Sequence, residues 1–350
     1  MMWVGIDLYS DTATRPSPGM KKAMVEAMLG DEQRGEDPTT RKLEELMAAK
    51  LNKRSAMFFP SATMCNQIAA KIHTKPGEEA LGAEECHMFN SEGGALGFHS
   101  GVQPRPIKSD TGIFNVDDIR KVLRFGVGPH TPKASVLLIE NTTNAGGGHA
   151  WPVDVLDNVM AFAKSLGLKT HLDGSRLYNA AMATNTDVER LARGFDSVTI
   201  CFSKGLACAA GAILAFDSTP WEEVRRLKQL FGGALRQSGM LAAACIYALE
   251  HHVLDLANDH RRAGVLATGL ANIAGIAVEN VTPTSNIVYF SLESNKFDPE
   301  SFLAACLKNN LRFSRFKANR FRAVTHRDIS DQDIEKALSI VASLMSIRKQ

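Results

Sequence analysis

A chain of 350 residues exceeds one ordinary domain and predicts a large and a smaller lobe, and its 45% hydrophobic content is ample for a core. A net charge of +2, with no basic run interleaved with aromatics, excludes nucleic acid as a partner. Cys65, Cys86, Cys201, Cys208, Cys245 and Cys306 are scattered without paired spacing and show neither a zinc pattern nor a redox pair, so they read as reduced packing residues and no metal is expected. Residues 1–7 lack a basic start followed by a long apolar stretch, so the reading is an intracellular, cytoplasmic protein with no membrane segment.

In chain order, residues 10–16 are polar and extended and read as an N-terminal arm, followed by a helix over 20–29. Asp37-Pro38 starts a second helix through residue 51, with Leu43, Leu46, Met47 and Leu51 on one apolar face. A short strand over 57–60 then leads into Ser61-Ala62-Thr63-Met64, which opens another helix. Free backbone amides and two hydroxyls at such a junction can cradle a phosphate, although Ser61 also reads simply as a helix cap. His87 lies in the loop that follows, where a single histidine is by itself more often structural.

A strand over 135–140 ends in Glu140-Asn141-Thr142-Thr143. Then come a helix over 155–166, a strand over 169–172, a helix over 187–191 and strands over 197–202 and 212–216. This alternation predicts an α/β fold with a mostly parallel central sheet and helices on both faces. A long helix over 240–256 follows the Gly232-Gly233 segment that carries Arg236. Beyond His260-Arg261-Arg262 the pattern changes to a smaller α+β lobe, with strands over 276–278, 287–290 and 311–313 and helices over 299–307 and 331–347. Arg322 sits in an otherwise apolar strand, where it also reads as an ordinary edge-strand residue.

Two strand ends carry chemistry. Lys204 follows the apolar strand over 197–202, flanked by the small residues Ser203 and Gly205, and the Ala207 to Ala212 run beyond it offers no acidic partner. An amine placed there can lose its proton and attack a carbonyl to form an imine, which is what a pyridoxal phosphate enzyme needs; alone, the same lysine reads as a side chain that reaches solvent. Asp173 ends the strand before it, and groups at the carboxyl ends of parallel strands share one crevice. Its carboxylate suits a pyridinium nitrogen, and Arg176, three residues on, can reach the same ligand; a helix cap and a surface ion pair are the plainer alternatives.

The blocks Ile6 to Pro16, Gly35-Glu36-Asp37-Pro38, Pro60 to Gln67, His171 to Arg176, Ser203 to Leu206 and Arg236 to Gly239 resemble, in order, the L-threonine aldolase family. That family belongs to the β-eliminating lyase group of fold-type I pyridoxal phosphate enzymes. The resemblance implies an aspartate aminotransferase-like large domain over 19–258, an arm over 1–18 lying across the active site, and a small C-terminal domain over 259–350. It implies that Lys204 carries pyridoxal 5′-phosphate, that Ser61, Ala62 and Thr63 hold its phosphate, that His87 stacks on its ring, and that Asp173 and Arg176 contact it. Ser10, Arg176 and Arg322 would bind the carboxylate of a small amino-acid substrate. Arg236 would reach the phosphate of the neighbouring copy in a homodimer or homotetramer with active sites at the interface.

The substrate wall departs from the family. Thr143 stands where a histidine is usual, Tyr9 replaces an arginine, Arg34 a tyrosine, Asn90 and Ser91 the aromatics after His87, and Ala62 a glycine, while Gln229 stands near where a lysine is common. Threonine can bind a substrate hydroxyl but is no base near neutral pH. Three readings therefore follow: aldol cleavage of threonine, allo-threonine or a bulkier analogue to glycine and an aldehyde; racemisation or β-elimination on the same frame; and a non-catalytic binding module. In the first, His87, a water or the cofactor phosphate would be the base.

Overall fold

Short strands buried along nearly their whole length can be stable only when covered on both sides, and such strands fill the interior of a seven-stranded central sheet, with the largely exposed Gln-Pro-Arg-Pro-Ile strand at one edge. The computed structural model describes residues 3–124, 128–293 and 297–346. Its strands are β1 (Ile6–Asp7), β2 (Ser55–Phe59), β3 (Glu79–Ala83), β4 (Gln103–Ile107), β5 (Ala134–Glu140), β6 (Lys169–Gly174), β7 (Ser197–Cys201), β8 (Ala212–Phe216), β9 (Ile276–Val278), β10 (Ile287–Leu292), β11 (Leu311–Arg312), β12 (Ser314–Lys317) and β13 (Arg320–Val324).

The large sheet has the order β2-β8-β7-β6-β5-β3-β4. The pairs from β4 across to β7 are parallel, and β8 alone runs against both of its neighbours. Val136, Leu137, Leu138 and Ile139 of β5 are all buried, as the run of apolar residues requires when helices cover both faces. A second sheet, β12-β13-β10-β9, is antiparallel and has its own core around Phe290, Phe302 and Phe321. The arm joins the two: β1 pairs parallel with β11, and Val324 N–H donates to Leu8 O at 2.9 Å.

Several predicted elements shift. The first helix is Pro18–Val25, not 20–29, because Ser17 Oγ accepts from Met20 N–H at 3.2 Å and Pro18 suits the first helical position; Leu29 lies outside it, exposed. The helix expected over 240–256 is two, Gly239–His251 and Leu256–Ala271, and the second runs through residues 258 and 259. His252 sits at the break and its Nδ1 bonds Leu206 O at 2.9 Å, which ties the break to the turn after Lys204. The last helix is Asp331–Ser346; Ile347, included in the expected helix, lies outside the described residues, as do Met1 and Met2 of the expected arm. All six cysteines are free and buried. Among the described residues no single helix is long and apolar enough to cross a membrane.

Candidate active site

The carboxyl ends of β5, β6 and β7 lie side by side, with Glu140 the register partner of Asp173 and Asp173 that of Thr199. Chain direction thus brings three strand ends to one crevice. Gly174 follows Asp173 because a Cβ there would stand 2.5 Å from Thr199 O. Beyond β7 the chain turns tightly: Ala207 N–H donates to Lys204 O at 2.8 Å, and Ala207 holds φ at 62°, a left-handed conformation costly for a residue with a Cβ. Thr14 Oγ1 of the arm donates to the same Lys204 oxygen at 2.7 Å. Backbone and arm therefore fix Lys204, while among the described residues its Nζ enters no hydrogen bond or ion pair.

Asp173 is 2% exposed. Its Oδ1 accepts from Ser175 N–H at 3.1 Å and its Oδ2 from Asn66 Nδ2 at 2.9 Å. Burial alone would raise its pKa, but the charges of His87 and Lys204 outweigh it and hold the carboxyl below its ordinary value. Asn66 anchors this group at both ends: Nδ2 also donates to Glu92 Oε1 at 2.9 Å, and Oδ1 meets His171 Nε2 at 3.1 Å. His171 Nδ1 then bonds Ser197 Oγ at 2.8 Å, which bonds His73 Nε2 at 2.7 Å. Burial pushes both of these histidines below the usual imidazole value.

His87 opens the helix His87–Asn90, and its Nδ1 lies 2.9 Å from Glu92 Oε1. Gln67 Nε2 donates to the other Glu92 oxygen. Burial would lower the pKa of His87, but the bond to Glu92 and then the charge of Asp173 raise it above its ordinary value. A carboxylate on Nδ1 orients the ring and leaves Nε2 for the cleft.

Arg176 donates from Nε to Asp11 Oδ2 at 2.8 Å and from Nη2 to Asp11 Oδ1 at 2.7 Å, and Asn286 Nδ2 reaches the same carboxylate at 3.2 Å. Arg322 of β13 donates from Nη1 to Asn144 Oδ1 at 2.7 Å and from Nη2 to Tyr9 O at 3.3 Å, while its Nε is buried without a partner among the described residues. Burial and then the charge of Arg176 lower the pKa of Arg322, so the two guanidiniums feel each other. Two adjacent cations with an unmatched N–H suit a carboxylate. Ser10 is buried, and its Oγ accepts from Thr12 N–H at 3.3 Å.

Among the described residues the side chains of the remaining expected residues make no hydrogen bond to this cluster. Ser61 caps the helix Ala62–His73, its Oγ accepting from Met64 N–H at 3.3 Å; Ser61 and Thr63 are exposed and Ala62 is half-buried. Thr143 is 1% exposed and folded into its own loop, its Oγ1 accepting from His149 N–H at 3.1 Å and its N–H donating to His149 O at 2.9 Å. The side chain of Arg236 is 63% exposed and, among the described residues, its guanidinium pairs with Asp31 at 3.4 Å, while its backbone oxygen accepts from Glu32 N–H at 2.8 Å.

Five further groups belong to this site and escaped the reading of the sequence: Asp11, Asn66, Glu92, His171 and Glu140. Glu140 had a legible signal, since it ends an apolar strand just as Asp173 does. The others are held by partners from distant elements, apart from Glu92, which lies five residues after His87.

The residues present fit pyridoxal phosphate. Lys204 has an uncommitted amine, Asp173 is an ionised carboxylate at the neighbouring strand end, and Asn141 Nδ2, Thr142 Oγ1 and Arg322 Nε are buried donors without partners among the described residues. A parallel sheet with one reversed strand and this pair at its strand ends defines a pyridoxal phosphate-dependent enzyme of fold type I. The model of the β-eliminating lyase family matches residues 7–293. Low-specificity L-threonine aldolase 1 of Arabidopsis thaliana is 33% identical over 99% of this chain and 98% of its own, and the low specificity L-threonine aldolase of Escherichia coli K12 is 32% identical over 94% and 96%. The Leishmania major threonine aldolase structure superposes with a TM-score of 0.83 at 21% identity, covering 97% of this chain and 100% of that one. A Sphingomonas wittichii serine palmitoyltransferase shares the fold, with a TM-score of 0.74 at 16% identity over 97% of this chain and 86% of that one. The chain belongs to the β-eliminating lyase family and, within it, to the threonine aldolases.

Proposed function

We propose that the protein cleaves threonine-type β-hydroxy-α-amino acids to glycine and an aldehyde, with pyridoxal 5′-phosphate as its cofactor. The observation that carries this is the uncommitted amine of Lys204 beside ionised Asp173, with Arg176 and Arg322 close enough to repel each other. Bound there, the cofactor supplies an electron sink for the pair released when a bond to the α-carbon breaks. Lys204 would hold it covalently, Asp173 would keep its ring nitrogen protonated, and the ring of His87 would lie against it. The amides and hydroxyls of Ser61, Ala62 and Thr63 would receive its phosphate.

Arg176, Arg322 and Ser10 would hold the substrate carboxylate. A carboxylate gripped by two arginines sets the rotation of the amino acid about its α-carbon, and that rotation decides which bond is broken. Thr143 accepts from His149 N–H with one lone pair and keeps its O–H for a substrate hydroxyl. The exposure of Arg236 supports its acting on the phosphate of a neighbouring copy, in a homodimer or homotetramer whose sites lie at the interface. Separate cores in the two lobes support a division into an arm over 1–18, a cofactor domain over 19–258 and a small domain over 259–350. Six free buried thiols support a cytoplasmic protein.

The test is an aldehyde-release assay on a panel of β-hydroxy amino acids, run beside L-alanine in deuterated water. Aldehyde and glycine from L-threonine or L-allo-threonine are expected. Deuterium at the α-carbon of alanine with no aldehyde from any panel member would move the assignment to a racemase.

A further inference from the structure

The fold places a second carboxyl group in the crevice. Glu140 ends β5 as the register partner of Asp173, so the two side chains stand on one face of the sheet at neighbouring strand ends. Its position is held from both sides: Trp151 Nε1 donates to Glu140 O at 3.0 Å, and Asn144 N–H donates to Oε2 at 3.2 Å. Asn144 in turn receives Arg322 Nη1 on its Oδ1 at 2.7 Å and the Tyr289 hydroxyl on its backbone oxygen at 3.0 Å. Glu140 thus lies between the ring-nitrogen side of the site, marked by Asp173, and the carboxylate side, marked by Arg322. Unlike Asp11, Glu92 and Asp173, it has no side-chain donor among the described residues, and it is half-buried.

We propose that Glu140 is the group that takes the proton of the substrate hydroxyl, the role that Thr143 cannot fill; this rests on the reading of the protein as an aldolase. The O–H proton passes to the Glu140 carboxylate, C–O becomes C=O, and the Cα–Cβ bond breaks with its electron pair left on the α-carbon. Protonation of that carbon gives glycine, and Glu140 returns its proton to solvent.

The electrostatics support the assignment. Burial first, and then the charge of Asp173, push the Glu140 carboxyl up to about 7, against the bond from Asn144 and the charges of His87 and Lys204. The charge of Glu140 also reaches Arg176 and the buried thiol of Cys86. Two neighbouring carboxyls pushed in opposite directions divide the work: Asp173 stays ionised and Glu140 exchanges a proton near neutral pH.

The test is Glu140→Gln, which keeps an oxygen for Asn144 N–H and removes the titration. In apoprotein carrying carboxyl-13C glutamate, one resonance that titrates near neutral pH should vanish in the variant. In the loaded enzyme kcat for aldehyde release should fall at least about 100-fold and lose its acidic limb, with KM and the cofactor spectrum kept. Exchange of the glycine α-proton with deuterated water, which needs no hydroxyl proton acceptor, should persist. An unchanged limb and a kcat within a few-fold of wild type would overturn the proposal, as would loss of α-proton exchange to the same extent as aldehyde release. If Glu140→Gln does not fold, Glu140→Asp decides: the limb should remain with a lowered kcat, and a variant with unaltered kcat overturns the assignment. A wild-type protein that exchanges glycine protons but releases no aldehyde refutes the aldolase reading instead, while the resonance of Glu140 still reports its ionisation.

Discussion

Asp11 of the N-terminal arm grips Arg176, 165 residues away, through both prongs of its guanidinium, with N–O distances of 2.8 and 2.7 Å and both side chains buried. The arm is therefore a wall of the crevice. Burial would raise the pKa of Asp11, but the charge and hydrogen bonds of Arg176 hold it well below the usual carboxylate range. Its contribution to stability is present above the unfolded value of about 3.9 and is lost as pH falls toward the depressed folded value.

Replacing Asp11 with Asn leaves the Arg176 charge buried and unmatched. A loss of about 3–5 kcal/mol is expected in urea unfolding at pH 7, together with a raised KM for the amino acid. A loss below about 1 kcal/mol would show that the pair is dispensable.

Glu92 sets the ionisation of His87. Because the bond to Glu92 is what most raises its pKa against burial, wild-type His87 should titrate above the ordinary value of about 6.5, and in Glu92→Gln it should fall. In wild type the pairing stabilises the fold below about 6.5 and is lost as pH rises through the folded value. Histidine ring NMR reads this directly, and an unmoved titration in the variant would exclude Glu92 as the cause.

His73 is buried neutral at the far end of the chain of bonds from Asp173, so the unfolded state takes up a proton below about 6.5 that the folded state resists. Its stabilising effect is present above that pH and is lost below it. His73→Gln should cost most at pH 8, and the gap to wild type should close by up to about 1.4 kcal/mol per pH unit below 6.5. A gap that does not vary with pH would mean that His73 has the same pKa in the fold as in the unfolded chain.

The place of Arg236 predicts complementation between subunits. Lys204→Ala and Arg236→Ala should each be inactive or nearly so alone, and mixing them under exchange conditions should restore about a quarter of wild-type activity if each site draws Arg236 from the other copy of a dimer. No recovery, with exchange shown by mass, would place Arg236 outside the site.

Lys204 and Asp173 were legible because one follows a short buried strand and the other stands near the end of its neighbour, a local pattern with a topological consequence. Asn66, His171 and Asp11 were not, because their partners lie 107, 26 and 165 residues away and no local spacing links them. Thr143 shows the limit from the other side. Its position after β5 is correct, but the direction of its side chain depends on the loop closing through His149. Strands β3 and β4 were missed for local reasons: Gln-Pro-Arg-Pro-Ile suits only an edge strand, and Glu-Ala-Leu-Gly-Ala has little intrinsic strand preference.

One lysine, Lys204, is proposed to carry the cofactor. Protein reconstituted with pyridoxal 5′-phosphate, reduced with borohydride, digested and analysed by mass spectrometry should carry the reduced pyridoxyl group on Lys204, and the visible absorbance of the cofactor should be missing from Lys204→Ala. A pyridoxyl group on another lysine, or an unlabelled Lys204 in active protein, would contradict the account.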